Sequence, residues 1–224
     1  MATAPHAPPS VDPANDGTLA GMAALILKKH LQSVDDMLPA RVISYDRATN
    51  RAQVQPLVRV LTTDGRQVGR AQVASIPVIQ LGGGGFVLAF NLKAGDLGWI
   101  KANDRDISLI LQSFKENAPN TVRLHSFQDA AFIPDPMTGY AVGGEDAENA
   151  VLQTLDGSVR VAVWADRVKI TAGALSLTVG PGSFDFAGGA VNMPDGAVIN
   201  GIPFGTHKHT NVANGPNTSG NPTA

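Results

Sequence analysis

Two histidines one residue apart stand near the end of the chain, in Thr206-His207-Lys208-His209. In extended backbone His207 and His209 point to the same side. Imidazole nitrogens suit first-row transition metals, but two per chain do not close a coordination shell. If three chains turn that side towards a common threefold axis, six imidazoles converge on one point and can surround a metal octahedrally. In a single chain the same pair reads as two solvated histidines in a polar tail. His207 and His209 are the only residues whose types and spacing suggest a metal site.

Other chemistry is poorly supported. Gly82–Gly85 is followed by no Gly-Lys-Ser/Thr, so the lysine and hydroxyl that phosphate and magnesium require are missing. No Gly-x-Ser-x-Gly nucleophile elbow occurs. Asp104 and Asp106 flank Arg105 as ordinary turn or surface residues, and His125 lies in an apolar stretch as a packed histidine. A metal-dependent hydrolase or oxygenase built on His207 and His209 would need a carboxylate. None lies between Gly196 and Ala224, so its third ligand would have to come from a distant part of the fold. A carbohydrate-binding solenoid would expose aromatic rows, and the repeats described below offer only Trp164, Phe184 and Phe186. The sequence has no cysteine, which excludes disulfides, thiolate metal sites and a cysteine nucleophile. A net charge of −2 points away from nucleic acid. The expectation is a protein that is not an enzyme.

The elements that would position the histidines follow from periodicity. Residues 1 to about 17 are rich in Pro and Ala and are expected to form a flexible arm. Leu19, Met22, Ala23, Ile26 and Leu27, continued by Leu31 and Val34, recur at helical spacing, and Pro39 closes the segment. This predicts one helix over Thr18–Asp35, packed either on its own domain or on a partner. The apolar run at Met22–Leu27, ended by Lys28 and Lys29, is too short to span a bilayer. The N-terminus lacks the pattern of a secretory signal, so synthesis in a cytoplasm is expected. From Ala40 to about Gln112 the period becomes two: Ala52, Val54, Pro56, Val58 and Val60 alternate with Gln53, Gln55, Leu57 and Arg59. Some five short strands in this stretch suggest a small β-barrel, with the OB-fold as first choice. Phe114–Gly144, with Pro119, Pro134, Pro136 and Gly143-Gly144, reads as an irregular connector packed near the barrel.

Beyond it, apolar i, i+2 pairs recur at Val161/Val163, Val168/Ile170, Leu175/Leu177, Phe184/Phe186, Val191/Met193 and near Val198/Ile199. Their first members are 7, 7, 9, 7 and 7 residues apart, the long interval holding Gly180-Pro181-Gly182. Positions i and i+2 share a face on a strand and not on a helix, so the repeat is a short strand plus a tight turn. Between Ile170 and Gly205 the only charged residues are Asp185 and Asp195. A thin single-chain solenoid could bury almost nothing, whereas three chains around one axis bury a pair from each chain per layer. At about 2 kcal/mol for each side chain, that burial argues for a homotrimer. The expected architecture is all-β with an N-terminal helix: arm and helix over 1–35, barrel over 36–115 and connector over 116–147. An intertwined, trimeric triple-stranded β-helix then occupies 148–203, and a pointed metal-binding apex 204–224.

Three sets of residues carry a family likeness. The barrel region holds Leu38-Pro39-Ala40-Arg41-Val42, then Val54-Gln55-Pro56, then Lys93-Ala94-Gly95-Asp96. The middle holds Arg123-Leu124-His125-Ser126 and Asp129-Ala130-Ala131-Phe132-Ile133-Pro134. The end is Gly205-Thr206-His207-Lys208-His209 with a Gly/Asn/Pro tail. In this order they resemble the central spike, or baseplate assembly protein V, of Mu-like contractile-tailed phages. The resemblance implies an OB-fold seated in the baseplate hub near the tail tube, a triple-stranded β-helix, and an apex where His207 and His209 of three chains bind one iron ion. It implies a virion component of the tail baseplate, made in the host cytoplasm, that pierces the host outer membrane. Residue chemistry alone does not choose iron among first-row metals, and type VI secretion or pyocin-like spikes share the pattern.

Overall fold

The computed structural model describes residues 17–62, 65–137, 140, 142–192, 197–199 and 202–203, in two compact units that divide between residues 139 and 140. The arm to residue 16, Met193 and the whole segment 204–224, including His207 and His209, lie outside the described residues.

The first unit opens with the expected helix, α1 (Leu19–Gln32). Thr18 caps it by accepting a hydrogen bond from the Gly21 N–H at 3.0 Å, leaving no acid in the first turn and Lys29 and His30 in the last. Strands β1 (Met37–Asp46), β2 (Arg51–Pro56), β5 (Val73–Pro77), β8 (Leu97–Arg105) and β9 (Leu124–Pro134) form one antiparallel sheet in the order β5-β2-β1-β8-β9. A parallel bridge from Val78 to Phe132, with the Ile79 N–H donating to the Phe132 carbonyl at 2.8 Å, brings β5 back to β9. The sheet is thus a nearly closed five-stranded barrel. Two short hairpins project from it: β3 (Val60–Leu61) with β4 (Gln67–Val68), and β6 (Leu81–Gly83) with β7 (Phe86–Leu88). A short helix, α2 (Ser108–Ser113), lies between β8 and β9.

The alternation read in the sequence decides the barrel interior. Ala52, Val54 and Pro56 are buried while Gln53 and Gln55 between them are not, and Val54 pairs with Val42 across the sheet. Ile76, Ile100, Ala102, Phe127 and Phe132 complete the core. Gly98 is required by this packing, because a Cβ there would enter the Phe132 ring and meet the Ile133 carbonyl.

The stretch expected to be irregular contains β9, which pairs with β8 over most of its length. Its signal was obscured by a bulge. The register slips between Ala102 and Asn103, and His125 adopts φ 45°. The extra residues include Phe127 and Asp129, both buried. Arg123 holds Asp129 with two hydrogen bonds of 2.9 and 3.0 Å and reaches Asp106 at 3.3 Å. Asp106 also accepts from the Ser108 N–H at 2.9 Å and the Thr121 hydroxyl at 2.8 Å. Those donors, Ser108 first, lower the Asp106 carboxyl to about 2. The loop between β8 and β9 is therefore fixed by carboxylates rather than by apolar packing.

Two outcomes are expected. Gly98→Ala should destabilise the barrel by about 3 kcal/mol through overpacking, while Gly83→Ala, which meets open space, should shift it by less than about 0.5 kcal/mol; urea unfolding checks both. Asp106 has a folded pKa below the ordinary value of about 3.9, so its contribution is present above pH 4 and lost as pH falls from about 4 towards 2. Asp106→Asn should lower stability at pH 7 and flatten that acid limb, and equal acid slopes in the two proteins would refute the assignment.

Candidate assembly surface

The second unit is built on a five-stranded antiparallel meander, β10 (Ala150–Gln153), β11 (Val159–Val163), β12 (Val168–Ala172), β13 (Leu175–Val179) and β14 (Phe184–Ala187), paired in chain order. The turn between β12 and β13 has two residues, Gly173-Ala174, with Gly173 at φ 60°. The turns on either side have four, 164–167 and 180–183. A short pair, β15 (Val198–Ile199) and β16 (Ile202–Pro203), follows.

The registers place four of the apolar pairs of the sequence, Val161/Val163, Val168/Ile170, Leu175/Leu177 and Phe184/Phe186, on one side, whereas Val191 lies in no strand and Val198/Ile199 belong to the β15–β16 pair. Leu152, Val161, Ile170, Leu177 and Phe186 are successive cross-strand partners. So are Ala150, Val163, Val168, Val179 and Phe184, and a third row runs Val159, Ala172, Leu175. Side chains alternate across a strand, so all three rows share one face. That face is bare: Leu175 is 51 %, Phe184 60 % and Phe186 53 % exposed. The two phenylalanines meet edge to face at 5.0 Å, filling no more than each other's flank.

The other face is finished. It carries Arg160, Ala162, Lys169, Thr171, Ser176, Thr178 and Asp185. A single 3-10 turn, Gly144–Asp146, lies over its first strands. Asp146 is buried, sits 2.7 Å from the Arg160 Nε and accepts from the Trp164 indole at 2.9 Å. The Arg160 contact has ion-pair distance without hydrogen-bond alignment, so charge rather than directionality holds it. Lys169 donates to Glu145 at 2.5 Å and holds that carboxyl below its usual range. Arg167 stacks over the Trp164 ring at 3.7 Å. Most polar groups are paired on one side of the sheet, the buried Thr171 hydroxyl being an exception, while an apolar surface lies open on the other.

Of the candidate residues from the sequence, Asp104 faces His125 at 3.2 Å on the barrel surface, and Asp106 belongs to the loop network. Gly82–Gly85 forms the end of the β6–β7 hairpin. The sequence reading missed Ala150, Leu152, Val159 and Ala172, which extend the bare face; cross-strand register was the signal that identifies them. Among the described residues no group of three or more His, Asp or Glu is placed to hold a metal, and no helix is long and apolar enough to cross a membrane.

Residues 38–135, the barrel from β1 to the end of β9, match the family described as phage protein Gp138 N-terminal domain. No curated protein matches the chain. The match supports a phage structural protein, and with it a component of the virion.

Proposed function

We propose that this chain is the trimeric, membrane-piercing central spike of a contractile phage tail baseplate. The observation that carries the reading is the bare face of the β10–β14 sheet. An exposed apolar surface of this extent marks an interaction site. A finished polar face behind it suits an element with one side buried and one side in water. Three copies turning these faces to a common axis, as in a triple-stranded β-helix, would bury the rows at about 2 kcal/mol for each large side chain. In this reading the barrel is an OB-fold that seats the spike in the baseplate hub beside the tail tube. The work of puncture comes from sheath contraction, so the spike needs stiffness and a narrow end rather than an active site.

His207 and His209 would close that end. Six neutral imidazoles suit one first-row metal, and the family likeness favours iron. A complete shell leaves no position for substrate, which makes the ion structural. Both histidines lie outside the described residues, so their support is sequence position and donor chemistry.

Sedimentation of the full chain at micromolar concentration should give a trimer, and Leu175→Asp or Phe184→Asp should reduce it to monomers with a folded barrel. A well-folded wild-type monomer would remove the reading. Metal analysis should find about one ion per three chains, absent after His207→Ala with His209→Ala. Retention should weaken as pH falls through the imidazole titration range; one ion per chain, or none in protein purified without chelator, would sink the six-histidine site.

A further inference from the structure

The first unit carries two apolar elements whose partner the spike reading does not specify. All residues of α1 except Gly21 are exposed, Leu19 at 85 % and Leu31 at 67 %, with Met22, Ile26 and Leu27 between them. A 14-residue helix with so little of its own surface covered is marginal in water. The β3–β4 hairpin exposes Leu57, Val58, Val60, Leu61 and Val68, and a shallow hollow of about 480 Å3 opens on it between Leu57, Arg59, Leu61 and Gln67.

The segments that flank the two elements are joined to one another and to the barrel. Asp35, just past α1, donates its N–H to the His125 carbonyl at 3.0 Å and accepts from the Phe127 N–H at 3.2 Å. Its carboxylate also takes Arg70, two residues past β4, at 2.7 Å, and Arg70 lies over the Phe127 ring. The Leu57 N–H, at the root of the hairpin, donates to the Pro39 carbonyl at 2.9 Å beside the start of β1.

The charge on these elements is predominantly positive, the one acid being Asp64 in the hairpin turn, outside the described residues. Lys28, Lys29 and Arg59 make no ion pair among the described residues, and α1 contains no acid. Of the acids described nearby, Asp35 is held by Arg70 and Asp36 by Lys101. A meeting of this surface with itself would set mostly like charges together.

We propose that α1 and the β3–β4 hairpin together form a docking surface for a different protein, one that presents an apolar groove rimmed by carboxylates. The helix supplies apolar anchors at Met22, Ile26 and Leu27, in the manner of a helix laid in a groove. Lys28, Lys29 and Arg59 meet the acidic rim, fixing orientation and raising the association rate.

The proposal rests on the chain being a virion component, so the test uses assembled tail particles. The photo-cross-linker p-benzoylphenylalanine is placed at Leu27 and, separately, at Leu61 of the full chain, and the linked peptides are identified by mass spectrometry. Both positions should link to one other protein, at segments holding apolar residues beside Asp or Glu. A Lys28→Glu, Lys29→Glu, Arg59→Glu variant should lose at least tenfold of the cross-linked yield while its free trimer mass is unchanged. Links to another copy of this chain, links to lipid, or no link from chains present in the particles overturn the docking alone. Undiminished linking in the charge variant overturns it as well. Absence of the chain from the particles overturns the spike reading and the docking with it.

Discussion

The second unit depends on a sheet that is finished on one side only. Antiparallel sheets commonly face water on one side and a core on the other, but here the side that should face a core has none within the described part of the chain. The asymmetry is built residue by residue. Asp146, Glu145, Arg160, Lys169 and Trp164 hold each other by charge and hydrogen bonds on the polar face, while every position facing the other way from β10 to β14 is apolar. Hydrogen bonding in the ladder forms the meander, yet a five-stranded sheet with one bare face lacks the burial that stabilises a domain. Whatever covers that face completes the fold, and in the trimer proposed above folding and assembly become one problem.

The barrel solves its burial problem internally, which is why it stands as a separate compact unit. Its interior uses small and branched residues on alternate positions, with Phe132 and Phe127 as the large members, and Gly98 leaves the room that Phe132 needs. Its outside is less settled. The bulge in β9, the carboxylate-bound loop after β8 and the two apolar hairpins all depart from the simplest strand pattern, and such departures cluster where a protein does something besides fold.

Much of this was legible in the sequence, and the omissions have physical causes. Helix α1 was readable because its apolar spacing is regular and Thr18 supplies a cap. The barrel alternation was readable at Ala52 and Val54 because one side of β2 is buried. The i, i+2 pairs from Val161 to Phe186 marked strands correctly, but spacing alone does not say whether a strand pairs with its neighbour in the chain or with another chain; the registers show sequential pairing. Strand β9 was missed because Pro134 and Pro136 end it and because its bulge, with His125 at positive φ, breaks the alternation near Phe127. The histidine pair at 207 and 209 rests on pattern and likeness, since nothing in a short polar tail fixes geometry locally.

The lengths of the turns in the meander carry one more consequence. Cross-strand partners such as Val163 and Val168, Ala172 and Leu175, or Val179 and Phe184 are always an odd number of positions apart, because the turns hold four, two and four residues. Even turns keep each new strand in phase with the last. Inserting or deleting a single residue in one of them would rotate every following strand by half a period and carry the apolar rows to the wrong side. Whole strand-and-turn modules, by contrast, can be added or removed with the phase intact, each changing the sheet by one strand spacing of about 4.8 Å. Such a sheet behaves as a ruler graduated in strands: its length is free to drift over evolutionary time in unit steps, while fractional steps are forbidden.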